Sequence, residues 1–240
     1  MPRSSRQVIR LQRQTNQLLR DRSSGAAELA TRAAELLALA EELELTEGRI
    51  ERLRNRIVGA HPAMGSVWNA VHAADPSAFA RDHHKRAKTL MRRARRQLPR
   101  GARVLTLSYS STIVDLLGRK DYDVLVAESR PGGEGKRTAR SLQHAGARAT
   151  VVPDAALLAA ARQSDFAVVG ADAVTPSHVV NKMGTYQLAL ACRECGIPVY
   201  VIADSSKLVP DDWPLPEEGP DQIFEATPRH VFTSVICDAP

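Results

Sequence analysis

Cysteine, aromatic residues and long apolar runs are all scarce in this 240-residue chain, and each shortage narrows what the protein can be. Cys192, Cys195 and Cys237 form an odd, sparse set that cannot build a disulfide scaffold and fits a reducing compartment. Nothing approaches the roughly 18 apolar residues of a membrane span. Met1-Pro-Arg-Ser-Ser-Arg6 leads into polar sequence rather than a secretory apolar region. The expectation is a soluble, cytoplasmic protein with no membrane contact. Neither a Gly-x-Gly-x-x-Gly fingerprint nor a Walker-type loop occurs, so a dinucleotide or triphosphate has no specific support and no cofactor or metal is expected.

Charge is plentiful but uneven. Residues 1–100 carry 20 Lys/Arg against 10 Asp/Glu, a net of +10 in a chain of net +6, which leaves the remaining 140 residues at −4. The densest basic run extends from Lys85 and Arg86 through Arg92, Arg93, Arg95 and Arg96. Such runs are usually solvated helix faces, and no aromatic residue interleaves this one for base stacking. An acidic protein or RNA partner along Arg86 to Arg96 is the alternative.

Two periodicities meet near Arg100. Before it, Ala and Leu recur at helical spacing over 24–45, and 46–58 and 76–98 continue in that style. Beyond it, short β-branched runs at 104–106, 124–126, 150–152, 167–169 and 199–202 alternate with helix-length segments, the pattern of a parallel sheet with right-handed crossovers. The expected fold is α/β: a helical N-terminal domain over 1–100, then a Rossmann-like, mainly parallel sheet domain over 101–240. Pro99-Arg-Gly101 marks the boundary by its turn chemistry, and residues 211–220 form a polar, proline-rich loop.

The chemistry concentrates between residues 166 and 185. Phe166 to Val169 reads as a buried strand, Gly170 as a tight turn, and Asp172 as a carboxylate at the strand's carboxyl end, the edge where open parallel sheets bind ligands. Asn181, Lys182, Gly184 and Thr185 are expected to open the next helix, whose free amides favour an anion, with Lys182 adding a point charge for phosphate. Gly132-Gly-Glu-Gly-Lys136, flanked by Arg130 and Arg137, reads as a phosphate-lined loop, since guanidinium groups grip phosphate bidentately. A cap or an ion pair with a neighbouring acid is the lesser alternative for Arg130. Ser108, Ser110, Ser111 and Thr112 form a hydroxyl-rich turn suited to capping and to phosphate contact, and Lys207 after the last central strand either reaches phosphate or faces water. Cys192 and Cys195 share a helical face without a second pair at ligand spacing, and helix packing accounts for them.

Several blocks together resemble the family of the alpha, beta and delta subunits of translation initiation factor 2B, methylthioribose-1-phosphate isomerase and ribose-1,5-bisphosphate isomerase. Glu128-Ser-Arg-Pro131 with Gly135-Lys-Arg-Thr138 is similar to its Glu-Thr-Arg-Pro block and the basic turn after it, and Phe224-Glu-Ala-Thr-Pro228 to its C-terminal signature. Ile197-Pro-Val-Tyr-Val201 with Ser205-Ser-Lys207, Asp21-Arg-Ser-Ser-Gly-Ala26, His61-Pro62 and Asn69-Ala70 extend the likeness over roughly 15–238. The resemblance implies a phosphorylated pentose or nucleoside monophosphate as ligand and a homo-oligomer, a dimer or higher.

Departures from the isomerases matter as much. Those enzymes place a cysteine where this chain has Ser108, and a serine hydroxyl does not replace a thiol titrating near 8.5 without a strong base beside it. They carry an arginine immediately before Gly-Ala where Ser24 precedes Gly25-Ala26, and tend to have one before proline where His61 stands, a weaker phosphate binder when protonated. The expected function is accordingly regulatory: an initiation-factor-2B-subunit-like protein holding its ligand through Arg130, Arg137, Asn181, Lys182, Ser110, Ser111 and Lys207. An aldose-ketose isomerase with Asp172 as acid/base and Ser108 positioning substrate is the alternative.

Overall fold

The computed structural model describes the chain apart from residues 1, 2, 23, 218, 220, 221 and 240, with residues 3–5 as backbone only. Met1 and Pro2, and Glu218 and Pro220 of the proline-rich loop, therefore lie outside the described residues. Six helices come first: α1 (Arg3–Arg20), α2 (Ala26–Glu42), α3 (Glu47–Ala60), α4 (Gly65–Val71), α5 (Pro76–Arg81) and α6 (His83–Gln97). In α2 the Ala and Leu residues at helical spacing, from Leu29 to Ala40, point into one apolar cluster shared with α1, α3 and α4. The stretch 76–98 is two helices rather than one. Asp75 caps the first by accepting from the Ala78 N–H at 2.8 Å with Pro76 at the first helical position, and the chain turns at Asp82 before α6.

The second half supplies β1 (Arg103–Thr106), α7 (Ser111–Leu117), β2 (Asp123–Ala127), α8 (Gly135–His144), β3 (Arg148–Val152), α9 (Leu157–Ala161), β4 (Phe166–Val169), β5 (Ala173–Val174), β6 (His178–Lys182), α10 (Thr185–Glu194), β7 (Val199–Ile202), β8 (Phe224–Pro228) and β9 (Ser234–Ile236). Six of these strands form one sheet in the order β3-β2-β1-β4-β7-β9, every neighbouring pair parallel. Side-chain alternation divides its two faces. Leu105, Leu125, Ala167 and Val201 pack on α9 and α10, while Val104, Val124, Phe166 and Val168 pack on α6, α7 and α8. Leu90, Ala94 and Leu98 thus tie the basic helix α6 to the sheet's core.

The strand order reverses between β1 and β4, which opens a crevice at their carboxyl ends. One expectation needs correcting here. Asn181 and Lys182 do not open a helix; they end β6, the middle strand of a separate antiparallel sheet, β5-β6-β8. Val179 and Val180 favour the extended form, and β8 fixes the register, Asn181 opposite Glu225 and Lys182 opposite Phe224. Only after Gly184, at φ 98, does α10 begin. The helical half closes over this region through Asn69, whose side-chain amide donates to the Ser206 and Leu208 carbonyls at 2.8 Å, and through Gly65, whose N–H donates to the Asp172 carbonyl at 2.9 Å. Among the described residues no helix is long and apolar enough to cross a membrane.

The turn from β2 into α8 depends on Gly135, where an added Cβ would lie 1.9 Å from the Ala127 carbonyl oxygen. Gly135→Ala should therefore cost about 1–3 kcal/mol or more as an overpacking change, read as a lower midpoint in urea unfolding.

Candidate functional site

Ser108 follows β1 with φ 60, an unusual conformation for a side-chain-bearing residue. Its N–H donates to Ser129 Oγ at 2.7 Å, and Ser129, itself at φ 64, donates onward to the Ala127 carbonyl, so the ends of β1 and β2 brace each other. The next turn runs from Tyr109 to Thr112, half-buried apart from the exposed Ser111, with Ser110 capping α7 by accepting from the Ile113 N–H at 3.4 Å. Gly170 permits the close approach of β4 to this turn, since a Cβ there would come 3.1 Å from Ser110 Oγ. Asp172 follows.

These elements enclose a cleft of about 180 Å³. Ser108, Ser110, Ser111, Arg137, Asp172, Asn181, Lys182 and Lys207 all line it. Lys182 and Lys207 are buried, at 5% and 6% exposure, so bulk water screens the charge of either only weakly. Lys182 Nζ donates to Glu134 Oε1 at 2.7 Å. The Lys207 ammonium and the Asp172 carboxylate have no hydrogen bond or ion pair among the described residues, although both face the cleft. Asn181 Nδ2 donates to Thr185 Oγ1 at 3.0 Å, and Arg137 stacks on Tyr109 with its Cζ 3.7 Å from the ring centroid.

Burial pushes the Asp172 carboxyl up to about 6 from an ordinary 3.8, against the opposing pull of Lys207 and Lys182. By its accessible surface the residue is half-buried and lines the cleft.

Arg130 stands elsewhere. Its side chain is 63% exposed, donates to Glu128 Oε1 at 3.0 Å, and borders a neighbouring cavity with Asp154 and Met183. The cause is Asp154, whose carboxylate accepts from the backbone N–H groups of Ser129 and Arg130 at 2.8 Å and turns the chain outward. Lys136 joins Arg130 on Glu128 and, with it, holds that carboxyl below its usual range. His61 also lies outside the cleft. It is buried against the Leu18 carbonyl at 2.9 Å, and burial lowers its pKa. Of the basic run, Arg86 sits over Phe79 and donates to its carbonyl, Arg93 donates to the Cys237 and Ala239 carbonyls, and Arg95 donates to the Asp115 backbone carbonyl, so part of the charge serves docking within the chain. Cys192 is buried among apolar side chains, which pushes its thiol up to about 12.

Two lining residues carry no clear advance signal. Arg22 borders the cleft two positions before Ser24, and Glu134 sits in a glycine-rich turn whose neighbouring cations draw the eye.

The profile of the initiation factor 2 subunit family matches residues 22–230. The chain belongs to this family. Its sequence is 38% identical over 184 residues to a protein named translation initiation factor eIF-2B subunit 2-like from Pyrococcus horikoshii, covering 69% of this chain and 66% of that one. A ribose 1,5-bisphosphate isomerase of Archaeoglobus fulgidus is 29% identical over 165 residues, 58% of this chain and 53% of its own length. The crystal structure of the Pyrococcus horikoshii OT3 translation initiation factor eIF-2B superposes with a TM-score of 0.84 at 31% identity, covering 95% of each chain. The initiation factor 2 subunit family thus joins initiation-factor-like and isomerase relatives on one fold, and the cleft described above sits at that fold's switch point.

The raised Asp172 pKa has a stability signature. Because the folded state holds this proton more tightly than the unfolded chain, its stabilising contribution is complete below pH 3.8 and is lost as pH rises through about 6. Asp172→Asn should match the wild type in acid and exceed it above about pH 6, measured as urea midpoints across that range.

Proposed function

We propose that this member of the initiation factor 2 subunit family binds a phosphorylated pentose or a nucleoside monophosphate at the switch-point cleft, and that the ligand tunes assembly or partner binding rather than being turned over. The observation that carries this reading is the pair formed by Lys207 and Asp172: an ammonium and a carboxylate that face one cleft without an ion pair between them, beside a second buried lysine. Opposite charges held apart yet open to one small cleft fit a ligand that is anionic at one end and hydroxylated at the other. Lys207, Lys182 and Arg137 would take phosphate, and Asp172 would accept from ribose hydroxyls. Assembly into an oligomer is part of the same reading.

Calorimetric titration with ribose 1,5-bisphosphate, methylthioribose 1-phosphate, AMP and GMP tests it. At least one should bind saturably, with Lys182→Ala weakening it about tenfold or more, the cost of a lost charge-assisted contact. Saturable binding by none of the four removes the proposal.

An isomerase reading is favoured by one feature, the Asp172 carboxyl at about 6, near the range in which a general acid/base works at neutral pH. Its weak point is Ser108, which holds the cysteine's place with no base hydrogen-bonded to its hydroxyl among the described residues. NMR of either ribose phosphate incubated with the protein decides between the two. The regulatory reading expects no aldose-to-ketose conversion, whereas conversion lost in Asp172→Asn would establish the enzyme.

A further inference from the structure

Lys182 already has an anion in hand. The Glu134 carboxylate reaches across the cleft from the turn before α8 and takes the ammonium at 2.7 Å, in a pair whose lysine side chain is 6% exposed and whose glutamate is 34% exposed. We propose that Glu134 is a built-in competitor for the Lys182 seat and sets which ligands the cleft accepts: a phosphate ester engages Lys182 by displacing this carboxylate. The inference rests on the reading of the cleft as a sugar-phosphate or nucleoside-monophosphate site and adds to it a residue that determines specificity.

Three observations carry it. First, only one carboxylate oxygen is satisfied. Glu134 Oε2 is buried without a hydrogen-bond partner, an arrangement that costs free energy and makes the carboxylate a weak holder of its place. A phosphate dianion brings more charge and more acceptor oxygens to the same ammonium, whereas a carboxylated or neutral sugar offers Lys182 nothing better than Glu134 does. Second, the displacement needs little of the backbone. The turn is fixed on both sides, by the Gly133 N–H to the Ser129 carbonyl at 2.8 Å and by Gly135 against Ala127, so a side-chain rotation of Glu134 frees Lys182. Third, the carboxylate fits only because residue 132 is glycine. A Cβ on Gly132 would come 2.4 Å from Glu134 Oε1 and 2.7 Å from Oε2, so the side chain lies folded over a position without one.

That third contact supplies an independent handle. Gly132→Ala keeps the charge of Glu134 but crowds its carboxylate off the lysine, while Glu134→Gln keeps the shape and removes the charge. The full-length protein and both variants would be titrated calorimetrically with ribose 1,5-bisphosphate, with thermal melting checking that each is folded. Both variants should bind about three- to tenfold more tightly than the wild type, the scale of a partly exposed, charge-assisted ion pair. In a Lys182→Ala background, Glu134→Gln should bring no gain, because the competition runs through that ammonium. If the wild type saturates and Glu134→Gln binds no more tightly, the competitor role is overturned while the ligand reading stands. If no version saturates with ribose 1,5-bisphosphate or with methylthioribose 1-phosphate, AMP or GMP titrated in the same way, both fall.

Discussion

Charge buried at the carboxyl edge of a parallel sheet is the constraint around which this protein is arranged. Two lysines and an aspartate sit at the switch point, where apolar strands leave little water, and each charged group taken from water costs several kcal/mol unless something compensates it. The protein compensates unequally. Lys182 is given Glu134, whereas Asp172 and Lys207 influence one another across the cleft without contact, which leaves burial to raise the Asp172 carboxyl. A site that fully paired its charges internally would have nothing to offer an anionic ligand.

The remainder of the structure holds these groups in position. The main sheet delivers Asp172 and Lys207 from the ends of β4 and β7, the small antiparallel sheet presents Asn181 and Lys182 from the side, and the β2–α8 turn brings in Glu134 and Arg137. Asn69 and Gly65, from the helical half, bond to the backbone around Lys207 and Asp172. The helices therefore form a wall of the cleft as well as a bundle of their own. Through the Asp172 carbonyl, which accepts from the Gly65 N–H, the edge of the cleft is bonded to the helical half as well as to the sheet.

Much of this was legible in residues alone. Five of the main sheet's six strands, all but the edge strand β9, appeared as β-branched runs, the carboxylate after β4 followed from Gly170, and the initiation factor 2 subunit family was recognisable from blocks such as Glu128-Ser-Arg-Pro131 and Phe224-Glu-Ala-Thr-Pro228. The antiparallel sheet was not. Asn181 and Lys182, followed by Gly184 and Thr185, have the composition of a helix entry, and what holds them extended is β8, more than forty residues further on. Arg130 and Arg137 flank the same glycine-rich turn and look interchangeable, yet only Arg137 lines the cleft, because Asp154 grips the backbone at 129 and 130.

By itself the sequence determined the periodicities, and with them the alternation of helix and strand and the types of charged group available, since these depend on neighbours a few positions apart. Only the tertiary structure decided which charges meet. That Lys182 takes Glu134, that Lys207 turns inward and that Arg130 stays outside are outcomes of strand order, register and backbone contacts between distant segments, and no local pattern encodes a distance across a cleft.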